Sequence, residues 1–177
     1  METDEKLIAA ANAGDSEAFE ALYLRYRDWV YALAMRFTGN GAQAADAVQE
    51  TFLYLLKKFP GFELRCGMKS FLYPAVRHIS ITITRQGRRT SSDEALLAEL
   101  PAPDAAEMGG SQAELAAVLE TLAAEQRQVV LMRFVDDMPL ADIAEALDLS
   151  LNTVKSRLYR ALEALRSDSR TRRYFLD

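Results

Sequence analysis

Apolar residues recur along this chain at intervals of three and four, and almost nowhere at alternate positions. That period belongs to amphipathic helices and argues against strands. It predicts a short helix over residues 4–12, closed near Gly14. A second helix starts at Asp15 or Ser16, both suited to an N-cap, and carries Leu22, Tyr26, Trp29, Val30, Leu33 and Phe37 on one face. The run Thr38-Gly39-Asn40-Gly41 stops it. A third helix over 42–59 has Val48, Phe52, Leu55 and Phe59 as its core face and ends at Pro60-Gly61. The loop GFELRCGMK leads to a fourth helix over 70–86, with Ser70 as its cap and Pro74 near its first turn.

The pattern then breaks. Residues 90–111, TSSDEALLAELPAPDAAEMGGS, hold two prolines, two adjacent glycines and no basic residue, and read as a flexible acidic linker. Four further helices follow, over 112–122, 125–135, 140–147 and 151–166. The expected fold is all-α: two small helical domains, residues 1–89 and 112–177, joined by that linker.

Composition narrows the function. Half of the 177 residues are hydrophobic, enough for packed cores. No apolar run is long enough to span a bilayer, and the N-terminal segment is too acidic for a signal peptide, so a cytoplasmic protein without membrane insertion is expected. One cysteine, Cys66, and one histidine, His78, exclude an internal disulfide and give no zinc pattern. No phosphate-binding glycine motif and no catalytic constellation is present. No enzyme, metal or cofactor is expected.

The net charge of −5 conceals two basic zones. Residues 64–89 hold Arg65, Lys69, Arg77, Arg85, Arg88 and Arg89 and no acid. Residues 150–173 hold seven basic residues against Glu163 and Asp168. Two separated basic zones on an acidic chain suit two contacts with a polyanion.

The second zone has a recognisable local form. A short amphipathic helix, LADIAEAL, a three-residue turn, Asp148-Leu149-Ser150, and a longer basic helix make a helix-turn-helix. The last helix turns Val154, Leu158, Ala161 and Leu165 inward. Asn152, Ser156, Tyr159 and Arg160 then lie opposite, flanked by Thr153, Lys155 and Arg157. Amide, hydroxyl and guanidinium groups clustered there suit base edges, and the flanking charges suit phosphates. A solvated helix face is the plain alternative. The segment EQRQVVLMRFVDDMPLADIAEALDLSLNTVKSRLYRALEALR resembles the promoter −35-binding domain of extracytoplasmic-function (ECF) sigma factors of bacterial RNA polymerase. That resemblance implies −35 contacts from Lys155, Ser156, Arg157, Tyr159 and Arg160.

In the first domain, Asp46, Gln49, Glu50 and Leu53 point away from the core stripe of the third helix. A leucine ringed by acid and amide groups suits a protein-docking patch. On the fourth helix Arg77, His78, Arg85 and Arg88 gather on one side, and the preceding loop brings Phe62, Arg65 and Lys69. An exposed aromatic beside basic groups suits single-stranded DNA, with a solvated basic face as the alternative. The segments AGDSEAFEALYLRY, DAVQETFLYLLKKFPGF and SFLYPAVRHISITITRQGRR resemble the other domain of the same family. The resemblance implies that Asp46, Gln49, Glu50 and Leu53 dock on the β′ clamp helices of the core enzyme. It implies that the loop and fourth helix hold the −10 strand, and that an anti-sigma factor is a further partner. The family usually has Asn where this chain has His78. A helix-turn-helix regulator with an N-terminal sensor or dimerisation domain is the alternative reading. It explains residues 140–166 but not the acidic face or the basic fourth helix.

Overall fold

The computed structural model describes residues 2–90 and 110–171, with side chains at 88–90 and 110–115 outside the described set. The chain divides into two compact units, Met1–Leu97 and Ala98–Asp177. The described residues are all helical or loop, without strands. The linker expected over 90–111 falls almost wholly on residues 91–109, outside the described residues.

The first unit contains α1 (Asp4–Asn12), α2 (Ser16–Thr38), α3 (Gly41–Leu56) and α4 (Met68–Thr90). Asp15 caps α2 by accepting the Glu17 and Ala18 N–H groups, and Asn40 caps α3 through Gln43. The core is built from Leu22, Val30 and Leu33 of α2, Val48, Phe52 and Leu55 of α3, and Leu72, Tyr73 and Val76 of α4, all buried. The Asp4 carboxylate accepts hydrogen bonds from the Arg25 guanidinium and the Tyr26 hydroxyl and so ties α1 to α2. Burial, reinforced by Asp4, pushes the Tyr26 pKa well above its ordinary value.

Two expectations for this unit are corrected. α4 begins at Met68, not Ser70, because the Gly67 carbonyl already accepts the Phe71 N–H at 3.1 Å. Ser70 therefore lies inside the helix, buried and with its hydroxyl unpartnered, rather than acting as a cap. Pro74 accordingly sits within α4, where it removes one helical hydrogen bond, and its ring faces solvent. α3 closes at Leu56 rather than running to Phe59, whose half-buried ring meets Phe19 edge-on at 5.7 Å.

The second unit contains α5 (Gly110–Thr121), α6 (Ala124–Phe134), α7 (Leu140–Leu147) and α8 (Leu151–Ser167). Val118, Leu122, Val130, Ala161 and Leu165 form a buried cluster with Leu119, Leu158 and Leu162 packed against it. Arg127 joins α5 to α6 by donating to the carbonyls of Leu119, Glu120 and Leu122 at 2.9, 2.7 and 3.4 Å. Those carbonyls lie at the C-terminal end of α5, where the helix ladder runs out of donors; the Leu119 carbonyl also accepts the Leu122 N–H at 3.2 Å.

Candidate nucleic-acid and polymerase interfaces

α8 is presented by local chemistry at both sides of the turn. Asp148 ends α7 in the left-handed region, at φ 52° and ψ 49°. The next residue, Leu149, returns its N–H to the Ala144 carbonyl at 2.9 Å, a Schellman-type closure. Glycine is the usual residue in that conformation, and aspartate is one of the few others that tolerate it. The Ser150 hydroxyl then accepts the Thr153 N–H at 3.1 Å and meets the Thr153 hydroxyl at 2.8 Å. Thr153 is thereby engaged in the cap.

Val154 and Ala161 are fully buried on α8, whereas Asn152, Lys155, Ser156, Tyr159 and Arg160 are exposed. Tyr159 is 69 % exposed, a large value for an aromatic ring on a packed helix. Arg157 differs from its neighbours. It forms an ion pair with Glu125 of α6 at 2.7 Å, and its side chain is only 24 % exposed. No periodicity in α8 signals that partner. Beyond the helix, Arg170 donates to both carboxylate oxygens of Asp168 and pulls its pKa down to about 2.

On α3, Asp46, Gln49, Glu50 and Leu53 are all exposed. The residues between them, Ala47, Val48, Thr51 and Phe52, are all buried. The fold spends one side of the helix and leaves this one without a packing role. Leu53, 46 % exposed, sits among its polar neighbours as the period requires.

On α4, Arg77, His78 and Arg85 are exposed, and Arg88 follows on the same helix with its side chain outside the described set. Lys69 turns towards α2, its Nζ 5.7 Å from the centre of the Trp29 ring. In the loop, Arg65 projects into solvent beside Glu63 at 3.4 Å. Phe62 corrects the expectation of an exposed stacking ring. It is 7 % exposed and wedged between Phe59 and Phe71, with ring centres 5.4 and 4.9 Å away. A ring so enclosed lowers the free energy of the fold and offers no face to a base. The aromatic rings that remain at the surface are elsewhere. Tyr54 is 37 % exposed and stacked on Phe71, with the Lys58 ammonium 4.7 Å above it.

None of the described helices is long and apolar enough to cross a membrane, and no cluster of three metal-binding side chains occurs among the described residues.

Comparison with known proteins follows the same division. Residues 22–90 match the family described as Sigma-70 region 2, and residues 112–165 match Sigma-70, region 4. The chain is 26 % identical over 182 residues to the ECF RNA polymerase sigma factor SigW of Bacillus subtilis, covering 93 % of this chain and 96 % of that one. It is 28 % identical over 180 residues to the ECF RNA polymerase sigma-E factor of Escherichia coli K12, covering 92 % of each. The fold is similar to that of CnrH, solved in complex with the cytosolic domain of CnrY, with a TM-score of 0.65, 21 % identity and coverage of 91 % and 93 %. It is also similar to the Bartonella quintana sigma factor RpoE, solved with the anti-sigma factor NepR, with a TM-score of 0.61, 23 % identity and coverage of 84 % and 94 %. With both sigma regions matched in order and full-length ECF relatives aligned across nearly the whole chain, this protein belongs to the extracytoplasmic-function family of RNA polymerase sigma factors.

Proposed function

We propose that this sigma factor divides its work between its two units as follows. The α3 face of Asp46, Gln49, Glu50 and Leu53 docks on the β′ clamp helices of core polymerase. The loop after α3, with Arg65, and the basic side of α4, with Lys69, Arg77, His78, Arg85 and Arg88, hold the −10 strand. Asn152, Lys155, Ser156, Tyr159 and Arg160 of α8 face the −35 element, with Arg157 as a phosphate contact on the flank and Thr153 holding the helix start. The chain makes and breaks no bond in this scheme. It supplies promoter choice to the core enzyme. An anti-sigma factor is its further partner.

The single observation that supports this reading best is the α3 face, exposed at every docking position and buried at every residue between. Its test is co-elution of the purified chain with core RNA polymerase, followed by initiation from promoters selected out of a randomised library. Failure to bind core would overturn it. The free chain, carrying a net charge of −5, is expected to bind duplex DNA poorly by itself. Tight, sequence-specific binding by the free protein at physiological salt would favour an ordinary regulator instead.

The two arginines of α8 are expected to separate. Arg160 is exposed on the side opposite Val154, so Arg160→Ala should lose about 1–3 kcal/mol of discrimination between promoter and mismatched DNA. Arg157 is tied to Glu125 and lies to the flank, so Arg157→Ala should weaken all sequences alike and reduce the salt slope by about 1. Titrations of holoenzyme on matched and mismatched −35 sequences decide the matter. Equal, sequence-independent losses for both would remove base reading from Arg160.

A further inference from the structure

We propose that Asn12, the last residue of α1, is a positioning residue for strand capture, holding the loop between α3 and α4 by its root. This rests on the reading of that loop as the −10 strand site.

The geometry is a three-point grip. The Asn12 Oδ1 accepts the N–H of Gly61 at 2.7 Å and the N–H of Phe62 at 3.0 Å. Its Nδ2 donates to the carbonyl of Phe62 at 2.9 Å. One side-chain amide thus engages both backbone groups of Phe62 and the N–H before it. Three bonds to adjacent peptide groups fix the segment in position and in rotation. They join residues 49 and 50 apart in sequence, so nothing local maintains them.

The other side of the root is fixed as well. The Phe62 ring is held between Phe59 and Phe71, and Phe59 in turn meets Phe19 of α2. Gly61 lies at φ +97°, with open space where a Cβ would stand, so glycine is required there by backbone conformation rather than by crowding. Immediately beyond this root the chain changes character. Glu63 and Arg65 have side chains 76 % and 87 % exposed, and their mutual ion pair is of the solvated kind that contributes little. A root held on both sides therefore carries a solvent-facing tip with one exposed guanidinium.

That division suits capture of an unstacked strand. A strand-binding loop must present its groups in one geometry, and any ordering done at the moment of binding subtracts from affinity. Asn12 completes the ordering in advance. Its side chain is also specific to the task. Aspartate would retain the two accepted bonds but set a carboxylate oxygen against the Phe62 carbonyl. Alanine would leave two N–H groups and a carbonyl without their partner. A graded effect, Asn12 best, aspartate intermediate and alanine worst, is the signature of the grip.

The experiment uses holoenzyme reconstituted with the wild-type chain, Asn12→Asp and Asn12→Ala, on a duplex promoter selected from a randomised library with the wild type. At saturating core, Asn12→Ala should slow promoter opening by roughly tenfold or more, and Asn12→Asp by less. Affinity for core and −35 discrimination should be unchanged, since neither face includes the loop. In the free protein, amide hydrogen exchange at Gly61 and Phe62 should quicken in Asn12→Ala while the α2 and α3 amides stay protected. Unaltered exchange at those two amides would overturn the grip itself. Quickened exchange with promoter opening at the wild-type rate would overturn its role in strand capture. So would a loss of core binding in proportion to opening, which marks a residue that merely supports the fold. A wild-type holoenzyme that opens no promoter would overturn the strand-site reading and this use of the grip together, with the exchange result still deciding whether the grip exists.

Discussion

Asp46→Arg combined with Glu50→Arg is expected to abolish assembly with core RNA polymerase while leaving the melting temperature of the free protein unchanged. Both carboxylates are exposed on α3, and among the described residues no hydrogen bond or ion pair uses either. Exposed substitutions of this kind typically alter stability by no more than about 0.5 kcal/mol. At an interface the sum is different. A surface complementary to an acidic face is basic, and two reversals place like charges in contact where opposite charges met. Each reversal changes the local charge by two, so the pair converts attraction into repulsion rather than merely weakening it. A core-polymerase pull-down beside a thermal melt makes the measurement. The −35 preference of α8 should survive, because it resides in the other unit, Ala98–Asp177. Normal core binding by the folded double variant would remove the docking role from α3.

The second large effect separates two leucines on the same helix, two residues apart. Leu55 is 1 % exposed and Leu53 is 46 % exposed. Leu55→Ala leaves a cavity in the core of the first unit and should cost about 2–5 kcal/mol. For a unit of this size that corresponds to a fall of roughly 10 °C or more in melting temperature, read by far-UV circular dichroism. Leu53→Ala should leave the melt within about 0.5 kcal/mol of wild type. Its deficit should appear only with core present, as faster dissociation, because a partly exposed leucine among polar groups fits the apolar centre of a docking patch. A cost for Leu53→Ala comparable to that of Leu55→Ala would mean that the outward face supports the fold, and the docking assignment would fail with it.

Much of this was legible along the chain. The helical period alone puts Asp46, Gln49, Glu50 and Leu53 on one side of α3 and Val48, Phe52 and Leu55 on the other, and the structure has that partition. The same period separates Val154 and Ala161 from Asn152, Ser156, Tyr159 and Arg160 on α8. The cap at Asp15 and the turn at Asp148-Leu149-Ser150 are also local matters, decided within three or four residues by side-chain oxygens and backbone sterics. A helix repeats its faces, so a linear pattern suffices to sort them.

Loops have no period, and there the tertiary structure decided. A phenylalanine beside basic residues reads as an exposed stacking ring, yet Phe62 is closed in by Phe59 and Phe71, which approach from either side of it in sequence. The pattern places the start of the fourth helix at Ser70, but burial of Met68 and the Gly67 carbonyl carry α4 back to Met68. Nothing along α8 signals that α6 brings Glu125 to within 2.7 Å of Arg157. Asn12 carried no signal at all, because its partners stand 49 and 50 residues away and consist of backbone atoms common to every residue type. Local sterics and periodicity determine which side of a helix is apolar. Which distant group meets a given polar side chain depends on packing that brings separate segments together, and sequence spacing holds no trace of it.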